Sequence, residues 1–267
     1  MLINAPVGII GAGPAGISAA VQLKRYKIHS VILERRKIGG LIENAYSVEN
    51  SMLFPNGIRG KEFVKILNEY VRKYGLNVIY EEAKRIKIAE RIIVESEKRE
   101  YEFEYLIVAT GTRPKTLPYP QVKYHITEID SCKKILIIGG GDIAFDYALS
   151  ASEKCGEVTL IYRSTIKALP ILVDEVMERG IKIIQGEIEE IENGIAHTSA
   201  GDIEFDEVLA GIGRIPNVEI VEGIGDSRIF VIGDAKNGIY RQSALAIADG
   251  IQTAMKIWRV MKYGDTE

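Results

Sequence analysis

The sequence predicts an α/β fold made of two matched units, each a parallel sheet whose first strand opens into a glycine turn and then a helix. Three observations carry that expectation. In "APVGIIGAGPAGISAAVQLKRYKIHSVILERR" a short apolar strand (residues 7–10) precedes Gly11, Gly13 and Gly16, helical spacing runs from Ile17 to Leu23, and a second strand covers Val31 to Leu33. In "KKILIIGGGDIAFDYALSASEKCGEVTLIYRS" the same order returns 128 residues later: strand Ile135–Ile138, then Gly139, Gly140 and Gly141, a helix, and strand Val158–Ile161. The segments "YLIVATGTRP" and "EVLAGIGRIP" also repeat, with Gly111 and Pro114 matched by Gly213 and Pro216 at an offset of 102.

The first turn has the pattern G-x-G-x-x-G between a strand and a helix, with Pro14 and Ala15 in the intervening positions. Its glycines permit a tight turn, close approach of backbone to a pyrophosphate, and close helix–strand packing. The helix start turns free N–H groups and positive dipole toward phosphate. Glu34 ends the second strand, 23 residues after Gly11, where an acid accepts hydrogen bonds from a ribose 2′-hydroxyl. The second turn has Ala144 at the third glycine position, followed through Asp142 and Ile143 by its helix. At the position matching Glu34 stands Tyr162, followed by Arg163. Without a carboxylate there, a 2′-phosphate is not repelled, and Arg163 can pair with it, with help from Lys167 if the loop curls back. The first site therefore reads as one for FAD or NAD, and the second leans to NADP.

Within the first half, residues 37–60 form a loop-like insertion with Gly39-Gly40 and "VENSMLFPNG", and "EEAKRIKIAERIIVESEKREYEFE" reads as a small β-meander with a solvated charged face. "TRPKTLPYPQ" is a Pro-rich connector, and the Pro216 region is its return. After that, "SRIFVIGDAKNGIYRQSALAIADGIQTAMKIWRVM" supplies one more strand, a Gly-Asp turn and a long closing helix that completes the first unit. The resulting expectation is two Rossmann-like dinucleotide-binding domains, the second over 116–218 inserted into a discontinuous first over 1–115 and 219–267.

Composition narrows the function. The chain has 267 residues with 34 Lys+Arg against 37 Asp+Glu, a net charge of −3. That balance points away from nucleic acid and anionic membrane as partners. No apolar run reaches the ~18 residues of a membrane span, and the N-terminal residues lead straight into a strand without a secretory pattern. The two cysteines, Cys132 and Cys155, make no disulfide framework and fit a reducing cytoplasm. Cys132 is expected on the doorstep of its strand and Cys155 near the end of the following helix, both as plain structural cysteines. The three histidines, His29, His125 and His197, are scattered, and neither a metal cluster nor a general acid–base pair is expected.

The ordered set GAGPAG, GG, VEN, ATG, GGGD, G-x-x-PN, IGDA and RQ spans nearly the whole chain. In that order it resembles the flavin-dependent pyridine-nucleotide oxidoreductases, and specifically their thioredoxin-reductase-like branch. The resemblance implies that Gly11, Gly13 and Gly16 cradle the FAD pyrophosphate, with Glu34 and Arg35 at the adenosine ribose. It implies that Gly39, Gly40 and Leu41 pass close to the flavin chain, and that Asn50 meets the isoalloxazine edge. Thr110 and Gly111 would lie near the adenine side, and Gly233 and Asp234 at a ribitol hydroxyl. Arg241, Gln242 and Ser243 would lie at the flavin pyrimidine, where the closing helix starts. A helix N-terminus there favours the negative charge that develops on reduction. Gly139, Gly141, Asp142, Ile143, Tyr162, Arg163 and Lys167 would form the NADP (or NAD) site.

The chain also departs from that branch. The branch carries C-x-x-C ahead of the second glycine loop, whereas the segment from Leu117 to Lys134 is shorter here and holds only Cys132. Ser164 stands where the branch has a second arginine, and the stretch between Asn217 and Phe230 is abbreviated. The resemblance thus implies a cytoplasmic, homodimeric FAD-dependent NAD(P)H oxidoreductase. Hydride would pass from nicotinamide to flavin N5, and electrons would go on to an external acceptor, a ferredoxin or thioredoxin-like protein or a small molecule. Thioredoxin-reductase-like ferredoxin–NADP reductases also lack the cysteine pair, but they commonly carry a C-terminal extension that "MKYGDTE" does not supply. Two alternatives stay open: direct reduction of a partner's or a low-molecular-weight disulfide, and a non-catalytic flavin-binding partner or sensor.

Overall fold

The computed structural model describes residues 3–264; the outermost residues of the two-domain expectation, 1–2 and 265–267, lie outside them. In chain order the elements are β1 (Ile3–Ile10), α1 (Pro14–Arg25), β2 (Ser30–Leu33), α2 (Gly60–Tyr74), β3 (Asn77–Ile79), β4 (Ala83–Ile88), β5 (Ile92–Ser96), β6 (Glu100–Val108) and β7 (Thr112–Pro114). They continue with β8 (Cys132–Ile138), α3 (Asp142–Ser152), β9 (Cys155–Tyr162), α4 (Pro170–Glu178), β10 (Lys182–Gln185), β11 (Ile188–Glu192), β12 (Ile195–Thr198) and β13 (Ile203–Glu204). The last are β14 (Glu207–Ala210), β15 (Arg214–Pro216), β16 (Ile229–Val231) and α5 (Ser243–Tyr263). The chain divides into two compact units, one of Met1–Glu43, Glu49–Arg113 and Pro216–Glu267, the other of Asn44–Val48 and Pro114–Ile215.

In the first unit the sheet order is β3-β2-β1-β6-β5-β4. Strands β3, β2, β1 and β6 are mutually parallel, in the register Val7↔Ser30 and Val7↔Tyr105. The far edge of β6 is shared: its first half pairs antiparallel with β5, and Leu106 to Val108 pair parallel with β16. The meander reading of residues 81–104 thus becomes β4, β5 and the start of β6. Parallel strands covered on both faces read as continuous apolar runs, and "VGII" and "YLIV" are such runs. One face packs Ile9, Ile17, Leu23 and Ile107 with Ala254 and Ile257 of α5; the other packs Ile10, Leu33, Val94, Tyr101 and Phe103.

Helix α1 begins with Pro14 at a first-turn position, where its missing N–H costs nothing and its φ is already helical. It lies against α5 through small residues. A Cβ on Gly250 would stand 2.3 Å from the Ala15 carbonyl oxygen, so only glycine permits this crossing. The hydroxyl of Ser18 then donates across it to the Ile247 carbonyl at 3.0 Å. Helix α2 and strand β3 had no counterpart in the sequence reading, although α2 buries Phe63 and Leu67 on one face and ends on Gly75 in the left-handed region.

A carboxylate is buried beneath the meander. Glu81 Oε2 accepts from Ser96 Oγ at 2.5 Å and from Tyr101 Oη at 2.8 Å, and Arg99 lies 3.0 Å from Oε1. Burial pushes the Glu81 carboxyl up, but the bonds from Ser96 and Tyr101 and the charge of Arg99 together hold it below its ordinary value. Burial and Glu81 push the Tyr101 phenol up to about 12.

In the second unit β10-β9-β8-β14 form a parallel sheet, with an antiparallel meander β11-β12-β13 beside it in sequence. Phe145, Leu149, Val176 and Leu160 fill one face, and Leu136, Ile161, Phe205 and Val208 the other. Residues 44–48 belong to this unit: Tyr46 N–H donates to Asp146 Oδ2 at 2.9 Å, and the Arg179 guanidinium lies 5.1 Å from the Tyr46 ring centre.

The cysteine expectation is overturned here. Helix α3 ends at Ser152, so Cys155 opens β9 and does not lie in the helix. Parallel register then sets Cys132 opposite Cys155, with Lys134 opposite Glu157. The two are joined by a disulfide across a Cα separation of 4.6 Å, within the span that a cystine bridges. The pair consequently no longer argues for a reducing compartment. Among the described residues no helix is long and apolar enough to cross a membrane.

Two stability tests follow from these contacts. Closing a loop of 23 residues' separation stabilises by about 3 kcal/mol. Calorimetry with reductant is therefore expected to lower the second unit's transition, and Cys132→Ser to remove the response; a transition indifferent to reductant would show that the cystine contributes nothing. Glu81→Gln is expected to cost roughly 1–3 kcal/mol at pH 7. Because the folded carboxyl titrates below its unfolded value of about 4.3, that contribution is complete above the unfolded value and disappears as pH falls through the folded one. Urea midpoints of the wild type and Glu81→Gln should converge between pH 7 and pH 3, and a gap that stays constant would contradict the assignment.

Candidate functional site

Each unit presents a glycine loop at the carboxyl end of its central strand. In the first, Gly11 sits at φ +104°, and a Cβ there would stand 2.4 Å from the Ala109 carbonyl oxygen. A Cβ on Gly16 would stand 2.0 Å from the Gly11 carbonyl oxygen. These two glycines are thus required by the fold itself. Gly13 differs: a Cβ there would meet nothing within 4 Å. Its backbone faces open space at the N-terminus of α1, the place a pyrophosphate would fill.

Glu34 is buried at the end of β2. Its Oε2 accepts from Ala12 N–H and its Oε1 from Arg36 N–H, both at 2.8 Å. The acid therefore fastens the glycine loop to the end of β2. Arg35 beside it lies 3.8 Å from Glu82. Gly39 is held by its own fold: φ is +111°, a Cβ would strike Val64 at 2.6 Å, and its N–H donates to the Ala12 carbonyl. A Cβ on Gly40 would find only the Gly13 Cα, at 3.5 Å, so Gly40 and Gly13 line one opening. Leu41 follows in a short 3₁₀ turn.

Distant motifs meet in the same unit. Asn50 Nδ2 donates to Gln242 Oε1 at 2.6 Å, which joins "VEN" to "RQ" across 192 residues. Gln242 is the N-cap of the 21-residue α5, between Arg241 and Ser243. The 3₁₀ turn Gly233–Ala235 carries Asp234, and a Cβ on Gly233 would stand 2.9 Å from the Ala15 Cβ. That turn therefore abuts the first turn of α1. Asp249 holds it there, accepting from Gly233 N–H at 3.0 Å and from Asn237 Nδ2 at 2.8 Å. The Thr110 hydroxyl donates to the Asn217 carbonyl, and Asn217 N–H donates to the Gly111 carbonyl at 3.0 Å. Asp249 and Asn217 escaped the sequence reading. An acid among the small residues of "ALAIADG" was the signal for the first; the asparagine that ends G-x-x-PN was the signal for the second.

In the second unit Gly139, at φ +145°, would clash with the Gly211 carbonyl if it bore a Cβ, whereas Gly141 opens to space with nothing within 4 Å. The turn after β9 does curl back: Lys167 N–H donates to the Gly140 carbonyl at 2.6 Å, and Leu169 N–H donates to Asp142 Oδ1 at 2.8 Å. Ile143 packs inward beside the core of α3. A Cβ on Gly140 would meet Thr165 O at 3.0 Å and Tyr162 Cβ at 3.2 Å. Tyr162 and Arg163 therefore stand beside the loop, and Arg163 is exposed, 3.9 Å from Glu187.

Two glycine loops with open second or third positions, each at a helix start, and an acid placed for ribose in the first alone, fit one flavin dinucleotide and one nicotinamide dinucleotide. Residues 5–225 match the profile of the family described as pyridine nucleotide-disulphide oxidoreductase. The chain belongs to this family. It is an FAD-dependent oxidoreductase, and the family's cofactors are FAD and NADPH. Among curated relatives, a 34.2 kDa protein in a rubredoxin operon of Clostridium pasteurianum is 28% identical, over 92% of this chain and 94% of that protein. A ferredoxin–NADP reductase of Ignicoccus hospitalis is 27% identical over 81% and 80%. The crystal structure of T. acidophilum thioredoxin reductase superposes with a TM-score of 0.87 at 26% identity, covering 97% of this chain and 99% of that one.

The glycines make a separable prediction. Gly13→Ala meets no atom of the fold, so the apo protein should keep its melting temperature while FAD affinity falls at least ~10-fold, as the added methyl occupies cofactor space. Gly11→Ala should destabilise the apo protein itself. Thermal melts and flavin fluorescence titration of both variants distinguish the two; Gly13→Ala binding FAD like the wild type would remove the loop from the cofactor site.

Proposed function

We propose that this oxidoreductase takes its electrons from NADPH or NADH at the loop of residues 139–167 and passes them to an external carrier of ferredoxin type, with Cys132–Cys155 outside the electron path. One observation carries the second half of this reading. The disulfide lies at the amino ends of β8 and β9, whereas the glycine loop leaves the carboxyl end of β8. With seven residues in β8, the two are about 20 Å apart at ~3.3 Å per residue. Ligands of open parallel sheets bind outside the carboxyl ends of the strands, so the cystine is at the wrong end to be reduced by a bound nicotinamide. The chain has no other cysteine to serve instead.

Bound FAD would supply the acceptance of hydride at N5 and its release as single electrons. The chain's own residues do the rest. The N–H groups around Gly13 hold the pyrophosphate, and Glu34 orients the ribose while keeping Ala12 in place. Asp234 accepts a ribitol hydroxyl from a turn that Asp249 fixes. Gln242 has its carbonyl oxygen occupied by Asn50, which leaves its NH₂ group to donate to a ring carbonyl, and the start of α5 favours negative charge there. In the same reading 1–115 with 219–267, apart from residues 44–48 of the second unit, is the FAD-binding domain, 116–218 is the NAD(P)-binding domain, and the protein is a cytoplasmic homodimer. The exposed apolar residues Ile251, Met255 and Met261 of α5 support the dimer. The acceptor class is supported by the ferredoxin–NADP reductase of Ignicoccus and by the rubredoxin operon of the Clostridium relative.

A second reading, reduction of an external disulfide, is favoured by the likeness to thioredoxin reductase of T. acidophilum. Anaerobic mixing separates the two. NADPH or NADH should bleach the long-wavelength flavin band of the FAD-loaded protein. Oxidised ferredoxin should then restore the band faster than oxidised thioredoxin does, and Cys132→Ser should keep the rate within about twofold. Absence of bleaching with both nucleotides would sink the oxidoreductase mechanism at this loop, and a large loss in Cys132→Ser would return the cystine to the electron path.

A further inference from the structure

The turn after β9 is unusually well pinned for an exposed loop. Lys167 N–H is bonded to the Gly140 carbonyl, Leu169 N–H to Asp142, and Gln185 Nε2 to the Ser164 carbonyl. Gly186 N–H completes the set by donating to the Tyr162 carbonyl at 3.0 Å. Parallel pairing of Gln185 with Tyr162 brings the carboxyl ends of β10 and β9 side by side. The residues just beyond them, Glu187 and Arg163, consequently face each other at 3.9 Å between Oε1 and Nη1. Glu187 is itself fixed, since its N–H donates to Ser199 Oγ at 2.9 Å and its carbonyl accepts from Ser199 N–H. Both side chains are mostly exposed, 76% for Arg163 and 64% for Glu187.

This arrangement bears on the nucleotide that the loop accepts, and it rests on the reading of residues 139–167 as the nicotinamide site. We propose that Glu187 is a specificity-determining residue: it holds Arg163 in an ion pair that a ribose 2′-phosphate must displace. Arg163 is the cation that a 2′-phosphate would engage through paired N–H donors. The carboxylate beside it repels that same dianion and occupies one face of the guanidinium. An exposed pair of this kind is weak and readily exchanged, so Glu187 lowers the advantage of NADPH over NADH without abolishing it. Ser164 adds a hydroxyl but no charge, and the site therefore serves both dinucleotides.

Calorimetric titration of the FAD-loaded protein with adenosine 2′,5′-bisphosphate and with adenosine 5′-monophosphate tests this without turnover. The two probes differ only in the 2′-phosphate. Glu187→Gln should tighten the bisphosphate about 3- to 10-fold, as removal of one nearby like charge predicts, and leave the monophosphate unchanged. The gain should shrink at high salt and be smaller when Glu187→Gln is introduced into Arg163→Ala. Monophosphate binding with no response of the bisphosphate to Glu187→Gln, or an equal response of both probes, overturns the proposal alone. Binding of neither probe by any variant overturns the nucleotide-site reading, and the proposal with it.

Discussion

The first unit depends on how closely α1 can approach its neighbours. On one side Gly16 lets the helix settle onto the Gly11 carbonyl, and on the other Gly250 lets α5 settle onto the Ala15 carbonyl. Any side chain at either glycine would lift α1 away and move its N-terminus. The loop Gly11–Gly16, the turn that bears Asp234 and the start of α5 converge only because these two approaches are permitted. Backbone proximity, more than any ion pair, sets the geometry of this site.

The two units solve the same geometric problem with opposite electrostatics. In the first a buried carboxylate closes the loop, each of its two oxygens accepting one N–H, from Ala12 and from Arg36. In the second the corresponding place is taken by Tyr162, and the loop is closed by backbone bonds from Lys167 and by Asp142. A fold that keeps its loop without a ribose-facing acid is free to vary the charge at that edge, and Arg163 with Glu187 is the result.

Much of this could be read from residue order because glycine positions report backbone geometry directly. The strand–loop–helix units, the charged meander and the long closing helix followed from spacing and apolar runs. The cystine did not. Its pairing depends on where α3 ends, and shifting that end by a few residues moves Cys155 from the helix to the first position of β9, opposite Cys132. Helices α2 and α4 and the strands β10 to β13 passed unread between motif-bearing stretches, although Pro170 at a helix start was a usable signal. Residues 44–48 carry no local pattern that would assign them to the second unit; Asp146, a hundred residues away, does so through the Tyr46 N–H.

The discontinuity of the first unit has a consequence for the nascent chain. Strand β16 and helix α5 are translated after the whole of β8 to β15, yet β16 covers the edge of β6 and α5 covers the small-residue face of α1. At about 5–20 residues per second, the chain from β6 to the end of α5 takes on the order of 10 s to emerge. Throughout that interval an unpaired parallel edge and an uncovered helix face are open to other chains. The second unit is complete by then, so a synthesis arrested between the units leaves one finished domain and one adhesive half.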